Sequence, residues 1–527
     1  MKNIFYILML LLVLVSSSCK KFLQENPKSE QPVGAYYQTV AQVQSAVDYL
    51  YNVATGPNSL FNIGNLYDGT YSFALDNLSG LANNLVAQNP SVRYFSSLTQ
   101  TAENSDSYLD AMWSQLYSNI ASANTIITQT ENNSAISSAD AAPLLATARY
   151  FRAMDYYYLV RVFGAVPLVL QPYTSLNNLD AARTSVDSVY SAIENDLNWA
   201  LTNGTLPDKP IGSNGNQVSK GTVGTLLAEV YLTAAGYPLQ QGQAAYTQAL
   251  ATATAVLNST GGYALFDNSG GTTPFDKLRL TTYDQGSEYM YFVEYNSAIQ
   301  QSAYPEYCLP NTFPVPIPNC PIQVAYTLVE QVWTPSTELL NIYDSVNDIR
   351  RHEKQFFSSS FDYTSTANGL PTSIPYSFMP YRWFDSVAIF STAASGKYTA
   401  VYRLADVYLI AAEAANALGQ DPTPYLQPLL NRAYVTPPAI PADQSDRQNM
   451  ILAERYRELA MEGHFWFDMV RTQLYPDVDA SHNVTFSALV GHSNGRGQNF
   501  SNTDLLLPLP PTEIQRDPNL KPQNPGY

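Results

Sequence analysis

Charge is what this chain has least of. Only 13% of its 527 residues are Asp, Glu, Lys or Arg, about half the share usual in a soluble domain. The charges present are unbalanced, 27 basic against 44 acidic, for a net charge of −17. A surface so poor in cations does not neutralise phosphates, which argues against nucleic acid as a partner. Histidine is scarce as well, with four residues (His352, His464, His482, His492), and cysteine with three. They form neither an H-E-x-x-H motif nor a zinc-spaced ligand set, so no metal site is expected. Phosphate-cradling GxGxxG and GxxxxGK[ST] loops are missing, and no cofactor is called for. The apolar run Ile4–Val15 has 12 residues, too few to span a bilayer, and no later stretch is long enough.

What stands in place of charge is neutral polarity. The chain carries 39 Tyr together with many Asn, Gln, Ser and Thr. Such a surface hydrogen-bonds hydroxyls and amides without a strong field, and suits sugars or peptides. At 45% apolar residues there is no shortage of material for a large core.

The first residues read as an address. Lys2, the run Ile4–Val15 and the small residues Ser16-Ser17-Ser18 before Cys19 form a lipoprotein-type signal over residues 1–18, with Ser16 where Leu is usual. Cys19 is then the lipid anchor, with plain secretion the alternative, and several acyl chains hold a protein on a membrane where one is marginal. The remaining pair, Cys308 and Cys320, flanks the turn-rich LPNTFPVPIPN. In an oxidising compartment the pair closes a disulfide stabilising by about 3 kcal/mol. Two buried thiols are the alternative.

Periodicity organises the rest. Residues 19–35 read as a tether, followed by a helix near Tyr36–Val53 and a Gly/Asn/Ser/Tyr-rich stretch to Asn104 with loops and short helices. Apolar residues recurring every third or fourth position predict helices over Asp106–Glu131, Ala141–Gly164, Thr184–Thr202, Ser219–Ala235 and Gln243–Leu257. LAEVYLTAA at 227–235 returns as LADVYLIAA at 404–412, a small-aromatic pattern of the kind that packs tetratricopeptide-type hairpins. Between residues 261 and 397, proline and glycine cluster around short strand-like runs such as Tyr289–Tyr295, marking long excursions. A helix is expected over Pro335–Tyr343, and helix resumes over Tyr398–Leu418.

The densest local grammar lies in Asn449–Arg471. Ile451, Leu452, Tyr456, Leu459 and Ala460 make an apolar helix face, while Glu454 and Glu458 with Arg455 and Arg457 form a charged flank. Beyond Gly463, an aromatic knot of Phe465, Trp466 and Phe467 sits beside Asp468 and Arg471, too apolar for water and too charged to be buried unpaired. ERYRELAMEGHFWFDMVR here resembles the C-terminal signature of the SusD/RagB family of outer-membrane nutrient-binding lipoproteins, close to ERRxELAFEGHRWFDLVR. Tyr456 and Phe465 depart from that signature, standing where Arg is expected, which should alter local pairing and not the fold. RAMDYYYLVRVFGAVPLV, GSEYMYFVEY and the tail LLLPLPPTEIQRDPNLKPQNPGY also resemble family segments, so the likeness runs from Cys19 to Tyr527.

The resemblance implies a mostly α fold: a tetratricopeptide-like helical-repeat bundle of four helical pairs, with loop-rich excursions and a few short strands. It divides the chain into an N-terminal SusD-like region (36–260) and a C-terminal RagB/SusD region (261–527) whose excursions span 261–397. It also implies a cell-surface lipoprotein of the outer membrane that captures an oligosaccharide, or in some relatives a peptide, and hands it to a SusC-like TonB-dependent transporter. No chemical step is involved. The ligand regions of the family fall here on Asp76, Arg93, Tyr94, Tyr304 and Tyr307. Aromatic faces lying outside helical stripes add Trp333 and Trp383, the latter in PYRWFDS expected to be the most exposed tryptophan. Two other classes remain open. One is an exported glycoside hydrolase, needing two carboxylates about 5–10 Å apart; the other is a helical-repeat scaffold without a groove. Gly491-His492-Ser493-Asn494-Gly495 matches G-x-S-x-G, but no His follows residue 492 and RGQNFSNTD is a poor helix, so it reads as a loop.

Overall fold

In a computed structural model, the placed residues are 36–52, 70–83, 90–175, 177, 179–299, 301–302, 316–321, 333–392 and 395–527. Cys19, Tyr304, Tyr307 and Cys308 lie outside the described residues.

Helices dominate. The N-terminal half runs α1 (Val40–Asn52), α2 (Thr70–Leu78), α3 (Pro90–Ser96), α4 (Asp106–Glu131), α5 (Ser138–Phe163), α6 (Val186–Asn203), α7 (Lys220–Ala235) and α8 (Gln243–Leu257). After α9 (Pro274–Arg279) and α10 (Thr337–Asn341), the bundle resumes with α11 (Leu404–Ala417), α12 (Thr423–Ala433), α13 (Gln444–Glu458), α14 (Phe465–Thr472) and α15 (Pro511–Arg516). Capping residues explain where these helices begin and end. The Ser137 side chain accepts the Asp140 amide at the start of α5, and Gly164, at φ +73°, turns the chain out at its end.

From α4 to α8, each helix packs on its predecessor. The series then skips the excursions, since α8 packs on α11, which holds α12 and α13. The two echo segments are thus α7 and the start of α11; both lie against α8, and they touch each other. α7 is buried along nearly its whole length, and a Cβ at Gly224 would come within 2.6 Å of Val256 on α8. Glycine there is what lets the two helices approach closely. No described helix is long and apolar enough to cross a membrane.

Strands are few and paired in twos: β1 (Ala82–Asn83) with β3 (Thr334–Pro335), β2 (Tyr289–Val293) with β6 (Thr399–Arg403), β4 (Ser358–Thr364) with β5 (Pro371–Met379), and β7 (Leu474–Val478) with β8 (Val484–Ala488). The helix expected from Tyr398 therefore begins only at Leu404. Its first residues, TAVYR, are taken by the antiparallel ladder Tyr289↔Arg403 to Val293↔Thr399.

The signature segment differs from its expected form in one respect. Glu454, Arg455 and Glu458, read as a charged flank, are all buried. Arg350 grips Asp348 with two hydrogen bonds (2.9 and 2.8 Å) and reaches Glu454 at 2.7 Å and Glu458 at 3.0 Å. Arg403 and Arg432 bridge Glu288 and Glu458 at 2.7–2.9 Å. Burial disfavours charge on Glu458, yet Arg432, Arg403 and Arg350 outweigh it and bring its pKa down to about 2. Beside this network, Asp468 pairs with Arg455 and Arg471, and Arg471 also binds Glu413 at 2.6 Å.

Candidate functional site

The network positions a strand ladder, and the ladder positions a groove. Glu288, immediately before β2, accepts from Arg403 at the end of β6 and from Arg432 on α12, pinning the β2–β6 pair to the bundle. At the other end of the pair, Tyr295–Ser297 leave β2 beside Gly396–Tyr398 entering β6. A turn at Thr281–Tyr283 adds Thr281, Thr282, Asp284 and Gln285. Together these residues line an open polar groove of about 320 Å³.

Its groups are held in place from behind. Asp284 pairs with Lys397 and accepts the Tyr398 amide at 3.1 Å. Burial raises the Asp284 pKa, against the lowering effect of Lys397. Gln285 donates to Asn216 at 3.3 Å, and Asn216 donates to Glu294 at 2.6 Å. The Tyr398 ring packs against Phe292 with centroids 4.9 Å apart, and burial, then Glu294, push its hydroxyl up to about 12. The groove thus offers one supported aromatic ring, amide donors and acceptors, and hydroxyls, without a lone cation. Those are the groups that grip a neutral polyhydroxyl ligand.

The residues singled out from sequence fall into three sets. Asp76, Trp333 and Trp383 come together, but in the core. Trp333 is 0% exposed and Trp383 only 3%, their ring centroids 6.1 Å apart. The Trp333 indole donates to Asp76 at 3.1 Å and that of Trp383 to the Met461 carbonyl at 3.3 Å. The expectation of an exposed Trp383 is therefore corrected. Its neighbour Arg382 is drawn inward by Glu462 at 2.6 Å, and the tryptophan follows onto the signature corner. Burial drives the Asp76 carboxyl up to about 8, although the Trp333 hydrogen bond lowers it. Arg93 and Tyr94 form the second set, on α3: Arg93 is exposed, 5.9 Å from the ring of the partly buried Tyr94. Tyr304 and Tyr307 form the third, outside the described residues. Ser302, just ahead of them, bridges to Ser395 beside the groove residue Gly396. Cys320 is buried, and its expected partner Cys308 is not among the described residues.

The groove residues themselves escaped sequence reasoning. Thr281, Asn296 and Tyr398 are far apart in the chain, and the only local hint was Tyr295-Asn296-Ser297 following a strand. Gly491–Gly495 is a loop closed by the bridge Ser493↔Asn499 and is not followed by a helix as a nucleophile elbow requires. Among the described residues, no His, Cys, Asp and Glu side chains gather as a metal site.

Comparison with known proteins agrees at both ends of the chain. Residues 339–527 match the sequence model of the "SusD family", and residues 21–232 match that of a family described as "Starch-binding associating with outer membrane". The chain belongs to the SusD family. SusD-like protein P2 of Formosa agariphila is 26% identical over 99% of this chain and 98% of its own length. A SusD superfamily protein from Parabacteroides distasonis superposes with a TM-score of 0.78 at 26% identity, covering 93% of this chain and 98% of the other. Surface glycan-binding protein A from Bacteroides thetaiotaomicron, solved with laminarihexaose, shares the fold (TM-score 0.69, 18% identity, 92% and 99% covered). The tetratricopeptide-like SusD architecture expected from the signature is thus the fold observed.

Proposed function

We propose that this SusD-family chain is a cell-surface lipoprotein, acylated at Cys19, that captures an oligosaccharide and passes it to a TonB-dependent transporter in the outer membrane. The observation that carries this reading is the match of residues 21–232 to a family described as starch-binding and outer-membrane-associated. The relative solved with laminarihexaose supports a glucan-type ligand. Capture needs no chemical step.

In this reading Tyr398 stacks on a sugar face while Gln285 and Asn296 hydrogen-bond its hydroxyls. Arg93 and Tyr94 on α3, and Tyr304 and Tyr307 outside the described residues, are the further ligand contacts of this reading. Asp76, Trp333 and Trp383 support the scaffold from within and do not touch sugar.

Affinity electrophoresis and calorimetry against laminarin, starch, other plant and microbial polysaccharides and a peptide digest test this, with products analysed after long incubation. Saturable glycan binding without cleavage is expected. Released fragments would replace capture with hydrolysis, and binding confined to peptides would change the ligand class.

A further inference from the structure

A second cavity lies on another part of the bundle and has the opposite character. It has a volume of about 340 Å³ and opens between the end of α5, the start of α6, α14 and the C-terminal tail. Val186, Tyr237 and Val470 give it apolar walls. In one wall, the Arg161 guanidinium is sandwiched between aromatic rings, 3.7 Å from the Tyr157 centroid and 3.8 Å from that of Phe467. Its Nε donates to the Tyr157 carbonyl at 3.1 Å.

Among the described residues, no carboxylate lies within ion-pair distance of Arg161. Its neighbours are treated differently: Arg152 pairs with Asp196 at 2.7 Å, and Arg471, on the same cavity, with Glu413 at 2.6 Å. Arg183, also lining the cavity, binds only neutral oxygens, those of Ala165, Pro522 and Asn524 among them. Tyr190 lines it too, 2% exposed, with a hydroxyl that meets no hydrogen-bond partner among the described residues. Beside one cavity with apolar walls, two guanidiniums are thus touched by no carboxylate among the described residues, the buried Glu229 acting on Arg161 only from farther off. Withdrawing a cation from water without an anion is costly, and a planar guanidinium held by two rings is preorganised for a carboxylate.

We propose that this cavity binds a small carboxylate with an apolar body, its carboxylate on Arg161 and Tyr190 and its hydrocarbon part against Val186, Tyr237 and Val470. A polyol finds too few polar groups here, so the site is independent of the glycan groove and does not rest on the proposed function. The cavity volume is at the lower end of the range for ligand pockets, which limits the ligand to a small ring or branched chain.

The test is calorimetry and thermal shift on the purified protein with phenylacetate, isovalerate and the uncharged isostere phenylacetamide. The expected result is saturable stabilisation by at least one acid at millimolar concentration and none by the amide. Arg161→Gln should weaken the acid by about tenfold or more, the loss of a charge-assisted hydrogen bond. Because that variant also changes a packed cation, Val186→Trp serves as the second: it fills the cavity from its rim and should abolish binding while the fold, read by circular dichroism, stays intact. Equal binding of acid and amide, no saturable binding of either acid, or undiminished binding in both variants would overturn the proposal.

Discussion

Tyr456 and Phe465 stack face to face, with ring centroids 5.6 Å apart and planes inclined by 18°. These are the two positions at which the chain departs from the arginines of the family signature. Two aromatic rings have replaced two cations at one corner and found each other, and Phe486 on β8 adds a third ring 5.9 Å from Tyr456. At this corner the two rings pair with each other, and the fold around it is the SusD one.

The stack gives a first prediction. Tyr456 is buried and its hydroxyl has no hydrogen-bond partner among the described residues. Tyr456→Phe removes an unsatisfied polar atom and keeps the ring, so it should leave stability unchanged or raise it by about 1 kcal/mol. Phe465→Ala should instead cost about 3–5 kcal/mol. Denaturant unfolding of both variants decides; a Tyr456→Phe variant losing as much as Phe465→Ala would show that the hydroxyl is bonded.

Glu458 contributes to the acid limit of stability, as does Asp468 beside Arg455 and Arg471. The Glu458 carboxylate is held at about 2 against an ordinary 4.5, because the three arginines around it outweigh its burial. A depressed folded pKa contributes stability above the unfolded value that is lost as pH falls through the folded one, so the window is about pH 4.5 down to 2. Melting temperatures should fall steeply across it. Arg350→Met leaves Asp348, Glu454 and Glu458 with less compensation and should cost about 3–5 kcal/mol at neutral pH. A neutral outcome would mean that the network contributes specificity alone.

Asp76 has the opposite sign. Its folded carboxyl keeps a proton up to about pH 8 while the unfolded one releases it near 3.8. Between those values the folded state holds the extra proton, so this group makes stability fall as pH rises. Asp76→Asn keeps an acceptor for the Trp333 indole and cannot ionise. The variant should melt above the parent at pH 9 and approach it near pH 4, with indole fluorescence preserved. Parallel pH profiles would sink this assignment.

How much of this was legible beforehand depends on how local the signal was. The C-terminal end of α5 was readable because Gly164 and Pro167 lie within a few residues of the helix they stop, while its start lies at Ser138, ahead of the expected Ala141. The strand β6 was not, because TAVYR continues the apolar pattern of α11 and only its pairing with β2, more than a hundred residues earlier, makes it extended. Trp383 misled for the same reason. Pro380 and Ser386 announce a turn, while the Met461 carbonyl that captures the indole is 78 residues away. Sequence placed Asp76 among the ligand-region residues and Trp333 and Trp383 among the free aromatic faces, whereas the structure brings these three together as an internal cluster. Which side of the surface a cluster faces is decided by packing that no window of sequence contains.

That distinction yields the functional prediction. If the polar groove holds the sugar, Tyr398→Ala removes the stacking face and Gln285→Ala an amide, both at the edge of the scaffold; the Tyr398 ring is partly exposed and rests on buried Phe292, and Gln285 is exposed. Loss of one stacking ring is worth about 1–3 kcal/mol by analogy with base stacking, so Tyr398→Ala should weaken glycan binding by roughly tenfold or more while lowering the melting temperature far less than either tryptophan variant. Trp333→Ala and Trp383→Ala should do the reverse. Each opens a cavity costing about 3–5 kcal/mol, and glycan affinity measured on the remaining folded fraction should hold. The two readouts separate groove from scaffold. If the tryptophan variants fold normally and lose ligand while Tyr398→Ala binds like the parent, the ligand sits over the Trp333–Trp383 cluster and the groove is not its site.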